Sequence, residues 1–451
     1  MQTTYREIPE HLVTLVQALR AKLCDPAFVA RHRVLAVDFT RQRTLPFSRL
    51  VLFILQQSVK SLQRHLNEFF KALALDQDLD PITPGTVTHA RAKLQETAFI
   101  ELNHDCVLPS VYETERPIRR WRGHRLIGVD SALLRLPNSA ELGQAFGWKE
   151  AANQSGATDT RYPEARLSVL YDLLNRVGWE ARLASSLVGE VALARHQLPQ
   201  LQAGDVLIND RGFTGYIFLA LVRQLLAHFI ARCSTGSFLP AQELFQRDQP
   251  NQSRIVWLRA PRAHQAECRR LGLPLEMQVR FVSLRLPSGE LEVLVTSLLD
   301  EALYPTQEFL TVYHWRWGHE TFHLMLKGRL ELENFTGRTL EAVHQEVQGA
   351  LLLANLESLL SEPTQAHLDA PIRSRQHDYQ VNRANSYHAI KDHVLDLLSG
   401  DTPVAEVIGK LLRLFGGSPV AVRPERTAPR RVKPSFHRSY HHQRRVKKIV
   451  F

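Results

Sequence analysis

The chain has 451 residues, 44% hydrophobic and 23% charged, enough apolar material for one large or two to three ordinary domains and too ordinary a charge content for wholesale disorder. Its formal charge is +10 and its pI about 9.6, a balance that favours a polyanionic partner. Cys24, Cys106, Cys233 and Cys268 are far apart with no CxxC pair, which points to reduced thiols in a cytoplasmic protein and away from zinc.

Residues 1–10 are polar and carry no apolar signal segment. The longest apolar stretches, Leu50–Leu55 and Ile217–Val222, are far too short to span a bilayer. Pro9–Leu23 has helical apolar spacing, and Pro46–Leu75 reads as one longer helix with Pro46 in its first turn. Pro81–Leu94 reads as a turn followed by a short basic helix, with Thr83 as N-cap and Pro84 as first helical residue. Residues 1–110 are therefore expected to form an N-terminal all-helical domain.

From Trp121 the texture changes. Arg125–Leu136, Leu167–Leu173, Val177–Leu187, Asp205–Asn209 and His228–Cys233 read as strands; Val188–Leu198 and Phe213–Leu226 read as helices. That alternation predicts an α/β domain with a mixed sheet. Residues 236–290 are more polar, with strand-like runs at Arg254–Arg259 and Met277–Leu286 and a hairpin signal at Pro287-Ser288-Gly289-Glu290, so a β-rich insertion is expected there. Leu291–Leu299 continues the strands, and Thr306–Leu330 and Thr339–Leu360 read as long helices. Ser386–Leu398 and Val404–Phe415 are amphipathic helices within a C-terminal segment, 386–451. Its end, Arg423–Lys448, holds ten Lys and Arg against the single acid Glu425. Such a tail either neutralises phosphates or is a solvated end. His437, His441 and His442 in it lack the partners and spacing of a metal site.

The most informative segment is Tyr313 to Lys327. At ~100° per residue, Arg316, Glu320 and Lys327 fall at roughly −60°, −20° and −40° from Tyr313, so the four share one narrow face. Val312, Trp315, Phe322, Met325 and Leu326 take the opposite side. A solvated helix shows the same pattern, since Arg316 and Glu320 are an ordinary i,i+4 pair of about 0.2–0.5 kcal/mol. Two further acids strengthen a functional reading. Asp130 follows the apolar run Leu126–Val129, and Asp210 ends Val206–Asn209 and opens Asp210-Arg211-Gly212-Phe213. Each alone is equally a turn-former or N-cap. Together, three carboxylates suit hard divalent ions, Mg²⁺ or Mn²⁺, two of which ~4 Å apart drive in-line displacement at phosphorus. Arg316 and Lys327 on the same face suit phosphates.

Tyr313, Arg316, Glu320 and Lys327, separated by two, three and six residues, with Asp210-Arg211-Gly212-Phe213 and Asp130 upstream, resemble the DDE transposases of bacterial insertion sequences, in the insertion-sequence-four family. Asp38–Phe47, Thr88–Leu94 and Leu330–Gly337 are similar to other segments of that family; Ser131 stands where a Gly often follows its first Asp. The resemblance implies an RNase H-like mixed sheet with flanking helices, in two parts (111–235 and 291–385) interrupted by the insertion at 236–290. It implies cut-and-paste transposition: Asp130, Asp210 and Glu320 hold two metal ions, a strand is hydrolysed, and a hairpin forms before strand transfer. The implied partners are double-stranded DNA with terminal inverted repeats, target DNA and a second protomer in a homodimer; no membrane is involved. Trp257 is matched to an insertion tryptophan that stacks on a flipped base, or else packs in a small core. Arg211, and Arg91 and Lys93 beside His89 on the short basic helix, are further DNA contacts or ordinary solvated cations. An inactive DNA-binding relative, and a metal-dependent nuclease that cuts without joining, are the competing readings.

Overall fold

A computed structural model describes residues 8–41, 44–58, 60–73, 82–113, 118–152, 158–370, 377–400 and 402–423. The basic tail beyond Arg423, with its three histidines, lies outside the described residues. In chain order the helices begin with α1 (Glu10–Cys24), α2 (Pro26–His32), α3 (Phe47–Gln56), α4 (Leu62–Ala72), α5 (Pro84–Arg91), α6 (Thr97–Leu102), α7 (Leu108–Tyr112) and α8 (Ala140–Phe146). They continue with α9 (Glu190–Arg195), α10 (Tyr216–Gln224), α11 (Leu239–Arg247), α12 (Arg262–Arg270), α13 (Glu308–His314), α14 (Trp317–Gly328), α15 (Leu340–Asp369), α16 (Arg383–Leu398) and α17 (Val404–Gly416). The strands are β1 (Leu126–Arg135), β2 (Trp148–Ala152), β3 (Thr158–Asp172), β4 (Val177–Ser185), β5 (Val206–Asn209), β6 (His228–Arg232), β7 (Ser253–Arg259), β8 (Glu276–Arg285) and β9 (Leu291–Thr296). The short strands β10 (Tyr379–Gln380) and β11 (Val420–Ala421) pair with each other.

The described residues gather into two compact units, one drawn from 1–116, 134–165 and 324–451, the other from 117–133 and 166–323. In the first, the helix expected over 46–75 is two helices, α3 and α4. Gln57 ends α3 in the left-handed region at φ 40°, and the Ser61 side chain accepts from the Arg64 amide to start α4. α3 buries seven apolar side chains, so tertiary packing and not an amphipathic surface stripe fixes it. α15 is the spine of this unit. Its buried positions include Val343, Val347, Leu351, Ala354 and Leu360, and it packs against α3, α6, α16 and α17.

Arg91 is the cation that ties α5 to this spine. Its guanidinium donates to Gln345 Oε1 at 2.9 Å, Thr336 Oγ1 at 2.6 Å, Glu346 Oε1 at 2.7 Å and the Ala342 carbonyl at 2.7 Å. Glu346 also accepts from the Thr336 and Gly337 amides. Arg91 is 4% exposed, so the expectation that it meets DNA is corrected: its donors are spent inside the fold. Lys93, by contrast, is half-buried and 3.7 Å from Asp38, and His89 is exposed.

In the second unit the strand order is β4-β3-β1-β5-β6-β9-β8-β7. β1, β5 and β6 are parallel to one another. β9, β8 and β7 continue antiparallel from β6. β3 runs antiparallel to β1, because the Leu173 amide donates to the Leu126 carbonyl at one end and the Leu136 amide to the Pro163 carbonyl at the other. The first residues of β3, paired with β2, count with the first unit. The strands expected within 236–290 are present as β7 and β8, but they extend the same sheet and do not build a separate one. Ile127, Leu207, Phe229, Phe281 and Val295 from its strands and Phe213, Phe218 and Leu219 beside them form the core. All four cysteines are free thiols, three of them buried. No described helix is long and apolar enough to cross a membrane.

Two outcomes follow. Arg91→Met leaves Glu346 buried without its cation and is expected to cost about 3–5 kcal/mol, read as a lower urea midpoint at unchanged m-value. Glu341 is pushed up from 4.5 to about 7 by burial and then by the Glu96 carboxylate beside it. A raised carboxyl stabilises the folded state below pH 4.5 and loses that contribution as pH rises toward 7. The Tm of Glu341→Gln should therefore gain on the parent between pH 4.5 and 7; a constant difference would refute the shared-proton account.

Candidate active site

β1 and β5 pair in parallel with Leu126 against Val206, Ile127 against Leu207 and Gly128 against Ile208. Asp130 and Asp210 each lie two residues beyond the last of these pairs, so the register brings both carboxylates to the same height on strands about 4.8 Å apart. Burial raises the Asp130 carboxyl above its ordinary range; the Asp210 charge adds to this, and His323 and Arg316 oppose it. Asp130 Oδ1 accepts from the Ser131 amide at 2.7 Å. Asp210 Oδ1 accepts from the Gly212 amide at 2.8 Å, an Asx turn that Gly212 permits, since a Cβ there would sit 3.1 Å from that oxygen. Asp210 is thus a turn-former, which leaves its second carboxylate oxygen outside that hydrogen bond.

The third acid arrives on a helix that is not continuous. The long helix expected over 306–330 is α13 and α14, joined by a tight turn at Trp315–Arg316 with successive i→i+3 hydrogen bonds. The shared face of Tyr313, Arg316, Glu320 and Lys327 is also not the solvent face. Tyr313 is 4% and Arg316 8% exposed, and His319 and His323 are buried with them. The exposed side holds Thr311, His314, Trp317, Thr321 and Leu324.

His319 and His323 set where α14 lies. His319 is fully buried, and its Nε2–H donates to the Val169 carbonyl at 2.9 Å. His323 Nε2–H reaches the Asp130 carbonyl at 3.4 Å. Burial holds His319 down near 4, which keeps it neutral. Sequence reasoning missed both, although His319-Glu320-Thr-Phe-His323 has the spacing of two-histidine zinc helices. Here that spacing serves packing: the His319 ring lies against Gly128, where a Cβ would stand 3.1 Å from both His319 Cδ2 and Leu173 Cδ2.

Glu320 is half-buried and accepts from Arg316 Nη2 at 2.9 Å. Arg316 in turn lies in the field of Asp130 as well as Tyr313 and Glu320. Among the described residues, no group of three or more His, Cys, Asp or Glu stands close enough to hold a metal ion. The expected gathering of three acids is therefore incomplete: the aspartates are neighbours, and Glu320 is drawn to Arg316. Arg316 and Glu320 make an i,i+4 ion pair at 2.9 Å. The donor set still fits a hard divalent ion, because two adjacent carboxylates with one forced toward its neutral form present the field such an ion relieves.

Arg211 is exposed directly after Asp210. Trp257 is 61% exposed on β7, the last strand of the sheet order, so it does not pack in a core. Lys327, further along α14, counts with the first unit and pairs there with Glu333 at 3.2 Å.

The family described as Transposase DDE domain matches residues 121–356, more than half of the chain. A curated relative, the transposase InsG for insertion sequence element IS4 of Escherichia coli strain K12, is 23% identical over 341 residues, covering 74% of each chain. A solved structure, the piggyBac transposase synaptic complex with hairpin DNA, is 11% identical, covers 91% of this chain and 82% of that one, and has a TM-score of 0.40.

The His319 seat is testable through its glycine. Gly128→Ala is expected to destabilise the fold by about 1–3 kcal/mol through overpacking, measured by chemical denaturation; unchanged stability would mean that β1 and α14 separate freely.

Proposed function

Because the chain belongs to the Transposase DDE domain family, we propose that this DDE transposase cuts and joins DNA through Asp130, Asp210 and Glu320. The observation that carries the assignment is that each aspartate stands two residues past the last register pair of adjacent parallel strands, with Glu320 tied to an arginine that both it and Asp130 feel. In this reading β4-β3-β1-β5-β6, with β1, β5 and β6 parallel, is an RNase H-like core. Residues 1–110 form a DNA-binding domain, 111–235 and 291–385 the two parts of the core, 236–290 its β-rich elaboration, and 386–451 the C-terminal helices and tail.

Two Mg²⁺ or Mn²⁺ ions bound by the three carboxylates would activate the attacking oxygen and stabilise the leaving one. The chain's own groups do the rest. Asp130 offers its oxygens from within β1 and Asp210 from the turn that follows β5. Arg316 and Lys327 take backbone phosphates, Arg bidentately; Arg211, Lys93 and His89 are exposed enough to add contacts. Tyr313, buried, supports Arg316 and does not reach DNA from the surface. Trp257 offers an open indole face to an unstacked base, worth ~1–3 kcal/mol, in keeping with a hairpin intermediate. The partners are DNA bearing terminal inverted repeats, target DNA and a second copy of the chain, met in the bacterial cytoplasm.

Glu320→Gln should abolish nicking, with Mg²⁺, of a duplex carrying the terminal repeats of the element that encodes the chain, while binding of that duplex changes less than about threefold, because the loss is metal charge and not a phosphate contact. Nicking at the parental rate would remove Glu320 from the site. Supplying target plasmid separates transposition from simple cleavage: joined products are expected, and their absence would leave a nuclease.

A further inference from the structure

One buried acid in the second unit is unused by the chemistry above. Glu292 stands on β9 and is 3% exposed. Its Oε2 meets Arg232 Nε at 3.2 Å, and its Oε1 has no hydrogen-bond partner. Burial raises its carboxyl, and the cations whose charge opposes this are Arg232 and Arg316. Arg316 has the complementary deficit: Nη2 donates to Glu320, while Nε is buried without an acceptor. The Tyr313 hydroxyl is a third buried group without a partner, in the field of Arg316, Glu292, Arg232 and Asp210. Arg232, Glu292, Arg316 and Glu320 thus form a chain of alternating sign, with unspent donors and an unspent acceptor in its middle.

A guanidinium at this depth cannot lose its hydrogen-bonded carboxylate without a counter-charge to take over. Yet Glu320 has to leave Arg316 if it is to join the aspartates. We propose that Glu292, on the reading that Asp130, Asp210 and Glu320 hold the metal, is a positioning residue that takes the Nε side of Arg316 as Glu320 departs. Glu292 keeps the guanidinium neutralised from its buried side and its outer nitrogens aimed at a DNA phosphate. Arg232 holds Glu292 in place through the other carboxylate oxygen.

The experiment uses full-length E292Q, E292D, R316A, D130N and the double variant E292Q/R316A. Mn²⁺ binding is read by the EPR signal of free Mn²⁺ in the presence of saturating terminal-repeat duplex, and the Mn²⁺ dependence of nicking is read on the same duplex. E292Q is expected to need about tenfold more Mn²⁺ for half-saturation in both readouts, and E292D about threefold more. In the R316A background E292Q should add no further shift. Parental Mn²⁺ binding in E292Q overturns the proposal, as does an equal shift with and without Arg316, which would make Glu292 a fold residue serving Arg232. Should E292Q fail to fold, the smaller shift of E292D, tested with and without R316A, decides the same question. If D130N binds Mn²⁺ like the parent, the carboxylate reading falls and this inference with it; loss in D130N beside parental binding in E292Q sinks only the role of Glu292.

Discussion

The parallel pairing of β1 with β5 is the constraint from which the site follows. It brings Asp130 and Asp210, each two residues past the last paired residues, to corresponding positions on neighbouring chain segments. Burial raises the proton affinity of Asp130, and the like charge of Asp210 adds to it. Glu320 rests on Arg316. Everything else around the site, the buried histidines, the unpaired Glu292 oxygen and the phenol of Tyr313, arranges counter-charge or shape around those acids.

Much of this was legible in the sequence, for reasons that differ by element. The strands were readable because each is a short apolar run closed by turn residues, and Asp130 and Asp210 stand where such runs end. Their adjacency was not readable, because register is a long-range property of pairing. The burial of Tyr313 and Arg316 is not readable from a helical wheel: the wheel assumes one continuous axis, whereas Trp315–Arg316 makes a tighter turn. His319 and His323 carry the spacing of a two-histidine zinc helix, but nothing local marks that their partners are the Val169 and Asp130 carbonyls.

Arg91 shows the same limit in the other unit. On a short basic helix it looks like any solvated cation beside His89 and Lys93. Its acceptors, Gln345, Glu346, Thr336 and the Ala342 carbonyl, lie some 250 residues on, beyond the reach of periodicity. The segment 330–337, similar to the family at the level of sequence, acquires a physical meaning from this: Thr336 and Gly337 lend their amides to Glu346. Gly337 is required because a Cβ would fall 2.2 Å from the Ala342 Cβ.

β7 closes the strand order with its outer rim unpaired among the described residues, and Ile255 and Trp257 are exposed on it. A bare rim with apolar side chains is a template for stacking on another copy and, by extension, for precipitation. Arg254 and Arg259 stand within the same strand, paired with Glu243 and Glu276, and Arg262 just after it, so the rim is lined with charge. Charged side chains along an open edge hinder such stacking, so the strand that offers the template also guards it.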